Sequence, residues 1–214
     1  MSACRINGKI YEYASPLLVN KAMEEDCEVV KVVFEGQDIA EDSYSVAWIN
    51  VNKEKHLAIR WNIQNKNTNK NKKLKGFPYS SDKEIIPNWF VFPNGTIIDK
   101  MKILIQLYDN KPKKIPYVDP GKVDKQPTGN YKNIYVVSDG ENATGDSYSV
   151  AWLENFDEKR LAIRWNKTKN GKKNINGEYI GYPHGTKEPY WFVLPREATV
   201  LNGILVLPLE DHCK

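Results

Sequence analysis

In two stretches of the chain, bulky apolar residues occupy every second position and small or polar residues fill the gaps. Residues 43–49 read Ser-Tyr-Ser-Val-Ala-Trp-Ile and residues 57–62 read Leu-Ala-Ile-Arg-Trp-Asn; residues 147–152 and 161–166 repeat both patterns 104 positions later. A period of two is the mark of a strand, because successive side chains point to opposite faces. Tyr44, Val46, Trp48, Leu57, Ile59 and Trp61 therefore share one bulky face, which must enter a core. The opposite face carries Ser43, Ser45, Ala47, Ala58, Arg60 and Asn62.

Shorter apolar runs complete each copy. VVKVVF (29–34), WFVF (89–92) and KILIQL (102–107) are rich in Val, Ile, Trp and Phe and are separated by turn-forming stretches, as expected of strands. Five such strands in about 80 residues predict a small antiparallel β-barrel or curled sheet.

The repeat keeps its register over most of this length. Gly36 matches Gly140, Gly76-Phe77-Pro78 matches Gly181-Tyr182-Pro183, and Trp89-Phe90-Val91 matches Trp191-Phe192-Val193. Such a match predicts a duplicated domain and not a recurring short motif. The organisation read from it is an N-terminal extension at 1–28, a first β domain at 29–109, a second at 131–214, and a linker at 110–130 rich in proline and lysine. Ser15 as N-cap and Pro16 at the first helical position predict a short helix over 15–26, without a counterpart in the second copy.

Composition narrows the class. Of 214 residues, 41% are hydrophobic and 27% charged, the balance of a soluble globular chain. The net charge of +4 is too small by itself to imply a polyanionic partner. Cys4, Cys27 and Cys213 form no CxxC pair and do not read as a disulfide framework. No apolar run reaches the length of a membrane span, and the first residues lack the apolar core of a signal peptide, so a cytoplasmic location is expected.

The candidate chemistry lies on the small-residue faces. If the two long strands of each copy pair, Ser43, Ser45, Arg60 and Asn62 gather in the first copy, and Ser147, Ser149, Arg164 and Asn166 in the second. Arginine presents a planar fork of donors suited to phosphate, and asparagine offers one donor and one acceptor group. A lysine-rich segment follows each arginine and contains Lys73 in one copy and Lys173 in the other. Phe77 and Tyr182 sit in glycine-proline turns where an aromatic ring would stack on a base. The competing reading gives the arginines a framework role, stacked on neighbours within the sheet.

Nucleotide-binding loops, HExxH and GxSxG are absent from the sequence, which suggests no catalytic residues, no cofactor and no metal site. The expected function is non-enzymatic binding of a phosphate-bearing ligand, either nucleic acid or a nucleotide-derived signal. Sequestration of such a signal, as by a phage or mobile-element anti-defence protein, fits this pattern. The alternatives are a protein–protein interaction module and a hydrolase with its site near His184.

Overall fold

The computed structural model describes residues 2–6, 9–23, 25–36, 43–62, 78–80, 86–108, 116–126, 129–141, 146–155, 158–168, 171–185 and 188–209. They are mainly strand, and the named strands pair antiparallel. No helix among the described residues is long and apolar enough to cross a membrane. The chain forms two compact units, Met1–Phe92 with Leu209–Lys214, and Pro93–Pro208.

In the first unit, five strands run in the order Lys21–Ala22, Glu25–Glu35, Tyr44–Val51, Glu54–Trp61, Phe90–Val91. The two predicted central strands pair with Ser45 opposite Arg60 and Ala47 opposite Ala58, so the small faces coincide. The second unit contains the sheet Asn133–Glu141, Ser147–Glu154, Lys159–Trp165, Phe192–Val193, with Ser149 opposite Arg164 and Ala151 opposite Ala162.

The helix expected over 15–26 does not form. Only Pro16–Leu18 make a 3-10 turn, Ser15 gives no side-chain cap, and Lys21–Ala22 is already strand. The backbone explains this: Trp89 N–H donates to Lys21 O at 2.9 Å and Met23 N–H to Trp89 O at 3.2 Å. Those groups are committed to strand pairing and cannot close helical turns.

This N-terminal segment also has the counterpart that the sequence reading denied it. In the second unit Pro120–Lys122 forms the same turn, and Lys125–Gln126 pairs with Gly129–Asn130 as Lys21–Ala22 pairs with Glu25 and Asp26. Both segments carry proline at the turn and a buried valine directly after it, Val19 and Val123. Each packs on the small-residue face of its own sheet. Val19 and Ala22 join Ala47, Ile49, Ala58, Trp89 and Val91, while Val123 joins Ala151, Leu153, Ala162 and Trp191.

The tails are strands, as expected, but they do not close separate domains. Ile97–Asp99, Lys102–Gln106, Ile204–Pro208 and Thr199–Leu201 form one four-stranded sheet within the second unit. Leu104 pairs with Val206, flanked by Ile103 opposite Leu207 and Ile105 opposite Leu205. The pairing is symmetric about its centre, and Ile103, Ile105, Leu205 and Leu207 are all buried.

Candidate functional site

The faces singled out by the arginines are interior. Arg60, Asn62, Ser45, Arg164, Asn166 and Ser149 are fully buried, Ser43 and Ser147 nearly so. The sequence leaves this floor open above the sheet; in the structure residues 14–23 and 117–126 cover it. Small side chains on the sheet make room for a strap of the chain itself.

Burial of a guanidinium demands partners. Arg60 Nη1 donates to Ala14 O at 3.0 Å, and its guanidinium carbon lies 5.9 Å from the Trp89 ring centroid. Arg164 repeats the arrangement with Nη1 3.5 Å from Val118 O, Nη2 donating to Ile180 O at 2.6 Å, and Trp191 at 5.8 Å. The tryptophans reach the same straps, Trp89 Nε1 donating to Val19 O at 3.1 Å and Trp191 Nε1 to Val123 O at 2.9 Å. Desolvation pulls the Arg164 pKa down to about 10, partly opposed by the charge of Asp139 and by Tyr117.

The asparagines and serines bond to one another. Ser45 Oγ donates to Asn62 Oδ1 at 2.7 Å, and Asn62 Nδ2 donates to Ser43 Oγ at 3.0 Å. In the second unit Ser149 Oγ lies 2.7 Å from Asn166 Oδ1 and 2.8 Å from Asp139 Oδ1, and Asn166 Nδ2 reaches both Ser147 Oγ and Asp139 Oδ1. Tyr117 adds a donor to Asp139 at 2.9 Å. Each asparagine ties the end of one strand to the start of its neighbour. The geometry is that of a framework joint whose polar groups face one another.

Tyr182 is also buried, held by reciprocal backbone bonds with Trp165, so its ring is not displayed at a turn. His184 is half-buried, with Nδ1 2.7 Å from Gly185 O. Phe77 and Lys73 lie outside the described residues. Among the described residues, no group of three or more His, Cys, Asp or Glu is placed to hold a metal ion.

Lysine and aromatic side chains do meet on the surface. Lys173 Nζ lies 4.8 Å and Lys167 Nζ 5.2 Å from the centroid of the partly exposed Tyr179. On the bulky face of each sheet, where Trp48 and Trp152 are only half-buried, Lys55 sits 5.0 Å from Trp48, and Lys159 sits 5.4 Å from Trp152 and 4.9 Å from Tyr135. The lysine-rich segment read from the sequence includes both Lys167 and Lys173, but Tyr179 was not singled out. The available signal was the hairpin pattern Lys-Lys-Asn-Ile-Asn-Gly-Glu-Tyr, in which Lys173 and Tyr179 stand three places on either side of Asn176. Compared with known protein families, curated proteins and solved structures, the chain matches none.

Proposed function

We propose that the protein is a non-enzymatic, cytoplasmic binding protein, arisen by tandem duplication, that takes a phosphate-bearing ligand: nucleic acid or a nucleotide-derived signal, possessed or sequestered without turnover. In this reading Arg60, Asn62, Arg164 and Asn166 set the framework, and the ligand is met by lysines at the surface. The observation that carries it is the pairing of Lys167 and Lys173 with the partly exposed Tyr179. Ammonium groups gathered at one hairpin supply the charge that phosphate needs, and binding through them is expected to weaken steeply with salt.

The test is fluorescence anisotropy with a labelled oligonucleotide, run beside calorimetry with mono- and dinucleotides over a series of salt concentrations. Lys167→Ala with Lys173→Ala is expected to weaken binding at least about 10-fold and to flatten the salt dependence. Failure of the wild-type chain to bind any of these ligands at low salt refutes the proposal.

One observation favours a protein partner as a second reading. Asn133–Glu141 stands at the end of its sheet order, with Tyr135, Val136 and Val137 exposed. Exposed apolar residues on an end strand suit pairing with an added strand. A partner captured with the wild-type chain after nuclease treatment, and lost on Val136→Lys, supports that reading over the first.

A further inference from the structure

Ile175 is the most exposed large apolar residue described, 101% open at the apex of the hairpin that carries Lys173 and Tyr179. The apex is tightly built. Asn174 N–H donates to Glu178 O at 2.8 Å, and Gly177 N–H to Asn174 O at 3.0 Å with Gly177 at φ +77. Asn174 Oδ1 accepts from the backbone N–H of Asn176 and of Glu178 at 2.9 and 3.0 Å, while Asn174 Nδ2 holds the Glu178 carboxylate at 2.9 Å. Five hydrogen bonds thus fix a turn that presents one isoleucine to solvent. Holding it rigid lowers the entropy lost when it inserts into something.

Its surroundings say what that something is. Lys167 and Lys173 stand over Tyr179 beside the hairpin, and its carboxylate, Glu178, is hydrogen-bonded by Asn174. Two cations on the flank of an apolar tip are complementary to a polyanion with an apolar interior. Tyr179 has two ammonium groups near its ring, so it offers a poor platform for an unpaired base. Architectural proteins that bind a nucleic-acid duplex combine phosphate-neutralising cations with an Ile, Leu or Phe wedge between stacked base pairs.

We propose that Ile175 is such a wedge, and that the ligand of this surface is duplex nucleic acid, entered at a base step while Lys167 and Lys173 contact flanking phosphates. This rests on the phosphate-binding reading above and narrows its ligand. Insertion unstacks one step and bends the duplex; no covalent bond changes.

The experiment titrates the full chain into DNA and RNA duplexes carrying 2-aminopurine, with phosphatidylserine vesicles and free nucleotides as further arms. Wild type is expected to bind one duplex type and raise the 2-aminopurine emission through unstacking. Ile175→Ala, which removes only exposed atoms and leaves the thermal melt unchanged, should bind about 10-fold more weakly and lose the emission rise. Lys173→Ala should weaken binding to every duplex alike and lower the salt slope by about one. Duplex affinity and emission unchanged by Ile175→Ala overturn the wedge but leave phosphate binding standing, as does binding confined to nucleotides. Ile175-dependent binding to vesicles without duplex binding overturns it in favour of an anionic membrane surface. No binding in the duplex, oligonucleotide or nucleotide arms removes both proposals.

Discussion

The guanidinium carbon of Arg164 lies 5.8 Å from the ring centroid of Trp191, and both side chains are closed to solvent. The two hold opposite ends of one strap. Arg164 approaches the carbonyl of Val118 and Trp191 donates to that of Val123. Arg60 and Trp89 do the same for Ala14 and Val19 in the first unit.

Removing either arginine should therefore cost stability. Arg164→Ala leaves the carbonyl of Ile180 without its 2.6 Å donor and opens a void beside Trp191. A loss on the order of 3 kcal/mol is expected, read as a lowered denaturation midpoint. Arg60→Ala should behave similarly. Melts indistinguishable from wild type in both variants contradict the framework role.

Gly181 is a second fixed point. At φ +67 an added Cβ would stand 2.0 Å from Trp165 O and 2.7 Å from Arg164 Nη2. Neither the strand backbone nor the pinned guanidinium has room to yield. Gly181→Ala should be more damaging than Gly177→Ala, which shares a positive φ but meets no atom within 4 Å. Circular dichroism melts of the two variants compare them directly.

Asn166→Asp should be severe for an electrostatic reason. Nδ2 of Asn166 is 3.1 Å from Asp139 Oδ1, so the variant sets two carboxylates against each other inside the sheet. A loss of about 3 kcal/mol or more is expected at neutral pH. Adding Asp139→Asn should recover much of it, and a double-mutant cycle by urea denaturation measures the coupling.

Cys27 should react slowly with alkylating agents. Burial, with a contribution from Asp26, raises its thiol to about 11 from 9.0, and Sγ lies 3.7 Å from Val19 O. At pH 8 the thiolate is about 100-fold scarcer than in an ordinary cysteine, so maleimide labelling in a Cys4→Ser, Cys213→Ser background should slow to match. The linkage follows the same direction. The folded pKa lies above the unfolded one, so this contribution to stability is complete below pH 9 and is lost as pH rises through about 11.

Alternation in the sequence identified the central strands and which residues share a face, because a period of two is a local property of the chain. It could not show that both faces are buried. A serine-alanine-arginine face reads as open when the covering strap is sought elsewhere, and residues 110–130 read as linker because proline and lysine dominate them. The equivalence of Tyr13, Pro16, Val19 and Lys21 with Tyr117, Pro120, Val123 and Lys125 was present at the same 104-residue displacement, but it lies ahead of the run of hydrophobic alternation from which the repeat was read. Asp139 was missed because Glu35 occupies the corresponding place and the pair gave no identity to notice. The surface meeting of Lys167, Lys173 and Tyr179 depends on hairpin register that composition does not reveal.

The symmetric pairing of Leu104 with Val206 has a consequence for how the chain is made. These partners stand about one hundred residues apart, and contacts so distant raise contact order and slow folding. During synthesis Lys102–Gln106 emerges long before Ile204–Pro208 exists, with a strand edge awaiting its mate. A fragment ending at residue 109, cut where the repeat suggests a domain boundary, would carry that open edge permanently and should self-associate. The nascent chain exposes the same edge until its second half has been made.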